Sequence, residues 1–287
     1  DLVSFVRPWP DFEGVDMPSL LFHRSRRNLH LGAHAFLMIL MFCFLAPVAW
    51  AILSGFKPAS EIVRSPLDFD LSTLTLDNYR AMLSDVPILS GFKNTAIVLV
   101  VKGGITMFFA PLAAFAFAKY NFRGRNFAFG AVLLTLMLPT IVLIIPLLLE
   151  MKALGWINTY QALILPGAID AFAIFWMRQV ISTVPDELLD AARVDGCGEF
   201  TIFWRIVVPV IRPGLAGLAV LTIMNIYNDF VWPVVAANSD RMATLQVVLS
   251  TLAQNISGNR IGADYATVTG ELLAAASVAL IAGSVKG

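Results

Sequence analysis

Apolar residues in this chain fall in long runs, and the polar ones collect in short loops between them. Six runs are long enough to cross about 30 Å of hydrocarbon as helices. They are Leu31–Leu53, Thr95–Ala118, Phe127–Leu149, Tyr160–Ile181, Val210–Ala236 and a shorter last one, Ala266–Ile281. The last spans only about 24 Å at 1.5 Å per residue. Four of the runs' prolines, Pro47, Pro111, Pro139 and Pro146, each remove a helix hydrogen bond. Lipid tolerates that where neighbouring helices or a cavity satisfy the freed carbonyl, so kinked helices around an internal path are expected. The expected fold is all-α and polytopic, with an arm at residues 1–29 and a six-helix membrane domain at 30–287.

Composition agrees. Of the 287 residues, 58% are hydrophobic and 14% charged, and the mean hydropathy is +0.76. A soluble domain carries about 25% charged residues. The net charge is zero, which gives no reason to expect nucleic acid as a partner. Cys43 and Cys197 stand far apart in unlike contexts, so neither a disulfide framework nor a metal spacing follows. His23, His30 and His34 read as interfacial residues. The first apolar run is too long and too late for a signal peptide. The chain opens on Asp1 rather than Met, so residues are expected to precede it.

Basic residues set the expected orientation. They cluster in 23–27, in loop 119–126 (Lys119, Arg123, Arg125) and around loop 182–209 (Arg178, Arg193, Arg205, Arg212). These segments and both termini are assigned to the cytoplasm, in a bacterial inner membrane.

Loop 182–209 is unlike a plain connector. Ser182 or Thr183 offers a helix cap, Pro185 suits a first turn, and Asp186 and Glu187 favour a helix N-terminus. A helix is predicted from there to about Val194. Asp186 and Asp190 share one face, and Ala191 and Ala192 allow a close approach. Gly196 and Gly198 break the helix. A second helix is predicted from Glu199 to Val208, stopping at Pro209.

These residues carry a resemblance. Asp190-Ala-Ala, Gly196 six residues on from Asp190, and Ile206-Val-Val-Pro209 are similar to the E-A-A loop of ABC-importer permeases, with Asp for Glu and Val208 for Leu. The stretches SGFKP (54–58), TLDNYRAML (75–83), FKNTAIV (92–98), LGWINTYQALILP (154–166), NDFVWPVV (228–235) and GSVKG (283–287) resemble the MalG-like branch, which serves sugar importers. The final span is compressed relative to that branch. The resemblance implies a type I ABC-importer permease fold with a cytoplasmic coupling helix. It implies as partners a second homologous permease, two ATPase subunits and a periplasmic or lipid-anchored substrate-binding protein. It places the ATPase contacts on Asp186, Glu187, Asp190, Ala191, Ala192, Arg193 and Gly196.

No lysine follows a glycine as a P-loop requires, so the chain is expected to bind no cofactor and to leave ATP and magnesium to its partner. Polar residues at membrane depth are the candidates for the substrate path. Asn225, Asn228, Asp229 and Trp232 fall at i, i+3, i+4 and i+7, one helical face suited to a sugar. Lys102, Asn94 and Glu271 are weaker candidates. A cavity-facing Lys102 would favour an acidic oligosaccharide, and a neutral one remains open. The long loop 54–94 is a candidate docking surface for the binding protein. Two other classes compete. A secondary transporter driven by an ion gradient would show inverted repeats. An intramembrane enzyme would need a carboxylate pair such as Asp229 and Glu271.

Overall fold

The computed structural model describes residues 19–70, 72–258, 269 and 272–276. All regular structure among them is helical. The expected arm and most of the expected last span, with Glu271, lie outside the described side chains. The chain forms two units, 1–53 and 54–287. The described residues of the first belong to one helix, α1 (Ser19–Ser54), whose apolar part from Ala33 exposes large side chains such as Phe36, Met38 and Phe42.

The second unit begins with two short helices, α2 (Ala59–Arg64) and α3 (Asp77–Asp85). They are tied by buried polar groups. Lys57 is 1% exposed and donates to the Ser65 carbonyl, while Asn78 donates to the carbonyls of Gly55 and Lys57. The 54–94 stretch is therefore a folded cap rather than an open loop.

Helix α4 (Ile88–Lys119) is the central pillar, and Pro111 lies inside it without ending it. Beside it run α5 (Arg125–Met137) and α6 (Thr140–Ala153), α7 (Tyr160–Ile164) and α8 (Ala171–Ser182). The elbow helix α9 (Asp186–Val194) and α10 (Glu199–Ile202) follow. A wide π turn, Phe203–Val207, then leads into α11 (Val208–Val210), α12 (Arg212–Asn228), α13 (Val231–Ala236) and α14 (Leu245–Gly258).

Several runs expected to form single spans, kinked where they hold proline, are broken into separate helices. The third breaks at Leu138–Pro139, and its halves, α5 and α6, meet at 102°. Proline forces the residue before it out of the helical region, and Leu138 is extended. The fourth is two helices, α7 and α8, separated at 165–170. The fifth starts after a sharp bend at Ile211, with 81° between Glu199–Val210 and α12. The fifth also breaks at Asp229, which is extended. Among the described residues, two helices are long and apolar enough to cross a membrane, or up to four if each bent pair is one span.

One core joins α4, α8, the elbow and α12. Ala110, Ala114 and Phe115 meet Ala173, Met177, Ile181, Leu189, Ala192, Phe203, Val207 and Leu218, all 5% exposed or less. The approach of α12 to α8 is especially close. A Cβ built on Gly214 would lie 2.5 Å from a Val180 methyl, and Trp176 Nε1 donates to the Gly214 carbonyl.

Candidate functional site

The elbow helix runs over Asp186–Val194, as its residues predict, but its caps differ from expectation. Pro185 takes the N-cap position, and the Ser182 and Thr183 hydroxyls donate back to the carbonyls of Gln179 and Val180. At the other end Gly196 has φ +80°. There the Gly196 N–H bonds the Arg193 carbonyl and the Cys197 N–H bonds the Ala192 carbonyl. This paired closure of the last turn needs a left-handed residue, which explains a glycine at that place in the motif. The second helix does not stop at Pro209. It loosens into the π turn and ends at Ile211.

The two alanines part company. Ala192 packs into the core beside Leu189, whereas Ala191 stays on the exposed face with Glu187, Leu188 and Val194. Val194 is 87% and Phe200 62% exposed, so the tip of the elbow carries apolar side chains outward among charges.

The elbow's charges are largely turned on each other. Lys119, at the end of α4, reaches Asp186 at 2.7 Å and also donates to the Val184 carbonyl. Arg193 bonds Asp190 at 2.8 Å and grips Glu199 through Nε at 2.8 Å and Nη2 at 3.3 Å. The Tyr120 hydroxyl donates to the same Glu199 carboxylate. Hydrogen bonds from Arg193 and then Tyr120 hold Glu199 below the usual carboxylate range. Loss of solvation, and then the bond to Glu199, push the Tyr120 phenol up to about 12. The bonds to Glu199 and then Asp190 keep Arg193 charged. Lys119, Tyr120 and Glu199 were not among the sequence candidates. The first two look like an ordinary basic span end, and their partners lie far along the chain.

Deeper in the fold, the helix breaks converge. A chamber of about 350 Å³ is lined by Lys102 and Thr106 of α4, Thr140 at the start of α6, Gly167 and Asp170 before α8, and Thr222, Asn225 and Asp229 of the α12 end. A second basin of about 270 Å³ shares Lys102, Thr140, Gly167 and Asp229 and is otherwise apolar, lined by Leu143, Leu147, Val231 and Trp232 among others. Asp170 also begins a helix, accepting the Phe172 N–H at 3.0 Å as the N-cap of α8, while Asp229 stands just before the N-cap of α13. Thr106 donates to the Ala168 carbonyl at 2.7 Å, satisfying a group freed by the α7–α8 break.

The single helical face expected of Asn225, Asn228, Asp229 and Trp232 does not form, because the helix ends between the second and third of them. Asn225 and Asp229 reach the polar chamber. Asn228 is exposed and lines neither basin. Trp232 is 8% exposed and spends its N–H on the Ala162 carbonyl at 2.8 Å, leaving only its ring to the apolar basin. Asn94 is a structural staple, donating to the carbonyls of Arg241 and Ala243 and accepting from the Tyr160 hydroxyl. Asp170 was missed, although a carboxylate inside an apolar run is a signal in itself.

Residues 106–285 match the family described as binding-protein-dependent transport system inner membrane component. The chain belongs to this family. Its sequence is 38% identical to an arabinooligosaccharide transport permease of Halalkalibacterium halodurans over 233 residues, 78% of this chain and 84% of that one. It is 32% identical to the lactose transport permease of Rhizobium radiobacter over 257 residues, 89% and 92% of the two chains. The fold is also that of a solved bacterial ABC transporter involved in import of the acidic polysaccharide alginate. There the TM-score is 0.76 and the identity 21%, covering 91% of this chain and 95% of that one. As a binding-protein-dependent permease, the chain is a multi-pass inner membrane protein and not itself a catalyst. Proteins of this family work with an ATPase and a substrate-binding protein.

Proposed function

We propose that this permease forms half of the translocation path of an ATP-driven importer for a sugar or oligosaccharide. Its other half is a homologous sister permease, and two ATPase subunits sit beneath the pair. The chain binds no cofactor, and ATP and magnesium are used by those ATPases. A binding protein delivers substrate to the face carrying the 54–94 cap, and the elbow and both termini are cytoplasmic. The names of the relatives support a carbohydrate substrate.

The observation that carries the reading is the elbow. Its helix is clamped to the membrane core on one side, through Leu189, Ala192 and Lys119, and presents Glu187, Leu188, Ala191 and Val194 on the other. Asp186, Asp190 and Arg193 brace that surface from within and border it, and Gly196 ends it. An ATPase cleft closing on this surface would move the elbow. The shared core would pass the motion to α4, whose Lys102 lies 17 residues from Lys119, about 26 Å along the helix. That displacement reopens the chamber to the other side, as rigid-body rocking.

Copurification tests it. An ATPase subunit is expected with the native chain and not with Ala191→Arg, which places a charge on the exposed face without touching the internal ion pairs. An ATPase retained by Ala191→Arg removes the elbow from the coupling role. An ATPase absent from both samples removes the importer assembly.

A further inference from the structure

Resting on the reading of the chamber as a substrate path, we infer that Lys102 is a compensated charge, which makes the chamber a filter passing uncharged sugars and retarding anionic ones such as uronates or sugar phosphates. A lone lysine at membrane depth would attract an acidic sugar. Lys102 is not alone. Asp170 and Asp229 line the same chamber, and both attract its ammonium.

The charges can be counted. One ammonium faces two carboxylates, for a formal sum of −1. The starts of α6 and α8 meet the chamber at Thr140 and Asp170 and each contributes about half a positive charge, while the end of α12 meets it at Asp229 and contributes about half a negative one. The total then lies slightly below zero, not at a positive value. Lys102 forms no ion pair within 4.0 Å among the described residues, so its ammonium is locked to neither carboxylate. Its Nζ lies beside Gly167, where a Cβ would meet it at 3.7 Å, an ordinary contact distance. The rest of the lining is Ile226 and the polar Thr106, Thr140, Thr222 and Asn225, whose hydroxyls and amide suit sugar hydroxyls. The neighbouring basin supplies an apolar wall for the CH face of a ring. Loss of Lys102 alone would make the chamber anionic. Loss of one carboxylate would make it cationic. The residue pairing, rather than any single side chain, sets the selection.

The test reads the potential directly and needs no knowledge of the natural sugar. In the assembled transporter, Cys43 and Cys197 are replaced by Ser and Asn225→Cys places a thiol on the chamber wall. Its reaction with a cationic (trimethylammonium-ethyl) and an anionic (sulfonato-ethyl) methanethiosulfonate is followed by mass spectrometry of the peptide holding residue 225. Each rate is normalised to that reagent's rate with free 2-mercaptoethanol. The cation-to-anion ratio is expected within about tenfold of one. Asp170→Asn, which keeps the helix cap, and Asp229→Asn should each move it toward the anion by about three- to tenfold, and Lys102→Met should move it as far toward the cation. A ratio beyond tenfold in either direction, or one that none of the three changes moves, overturns the compensated-charge filter while leaving the chamber on the path. A thiol that reacts with neither reagent takes the chamber off the water-filled path, and this inference falls with it.

Discussion

Lys119 Nζ lies 2.7 Å from Asp186 Oδ1, joining the last residue of the central pillar to the first residue of the elbow helix across 67 positions of sequence. The lysine side chain is 5% exposed, and it also holds the Val184 carbonyl just before that helix. The elbow is thus fastened to α4 as well as continuing into α12.

Lys119→Met should loosen that fastening. Removing a charge-assisted bond from a covered lysine costs about 1–3 kcal/mol locally. Substrate-stimulated ATP hydrolysis by the assembled transporter should persist while uptake per ATP falls. Uptake per ATP unchanged from the native transporter would show that α4 is not a route of the coupling.

The Tyr120–Glu199–Arg193 cluster predicts a pH window for the elbow. Glu199 is held below its ordinary 4.5, so its contribution is complete above that pH and is lost as pH falls through the lowered value. Tyr120 is raised from 10.0 to about 12, so its contribution is complete below 10 and is lost between 10 and 12. Amide-exchange protection of residues 186–202 should be flat from about pH 5 to 10 and fall on both sides. Tyr120→Phe should abolish the alkaline fall and Glu199→Gln the acidic one.

Gly214 predicts a size-limited contact. Gly214→Ala places a methyl 2.5 Å from the stiff β-branched Val180. The strain should cost about 1–3 kcal/mol and lower the apparent melting temperature of the purified complex. Adding Val180→Ala should recover most of the loss. A double variant no more stable than Gly214→Ala would place the strain elsewhere.

Asn94 separates a staple from a path residue. It is 2% exposed, and Asn94→Ala strands the buried Ala243 carbonyl, the partly buried Arg241 carbonyl and the Tyr160 hydroxyl. A loss of about 3 kcal/mol is expected, read as lower thermal stability and poorer assembly. Reduced uptake at unchanged stability would return Asn94 to the substrate path.

Sequence alone determined what depends on neighbours a few residues away. The elbow helix and its glycine stop were legible because acidic first-turn residues and a left-handed C-terminal position act locally. The all-helical membrane class followed from the apolar runs, because lipid leaves the backbone few other ways to satisfy its hydrogen bonds. The third span's break was written in Pro139, yet Pro47, Pro111 and Pro146 read the same and lie inside continuous helices. Packing chose among them.

Tertiary structure decided the rest. Nothing local in Asp229 ends a helix, but it stands at the break between α12 and α13 and shares a chamber with Lys102, more than a hundred residues earlier. Ala191 and Ala192 are identical in sequence, and only the core beneath Ile181 and Ile202 makes one buried and the other free. Lys119 looks like a span-end charge until Asp186 arrives. Periodicity assigns a side chain to a face of one helix. Which charges meet across helices depends on where the backbone breaks and what packs against the break, and no single segment holds that information.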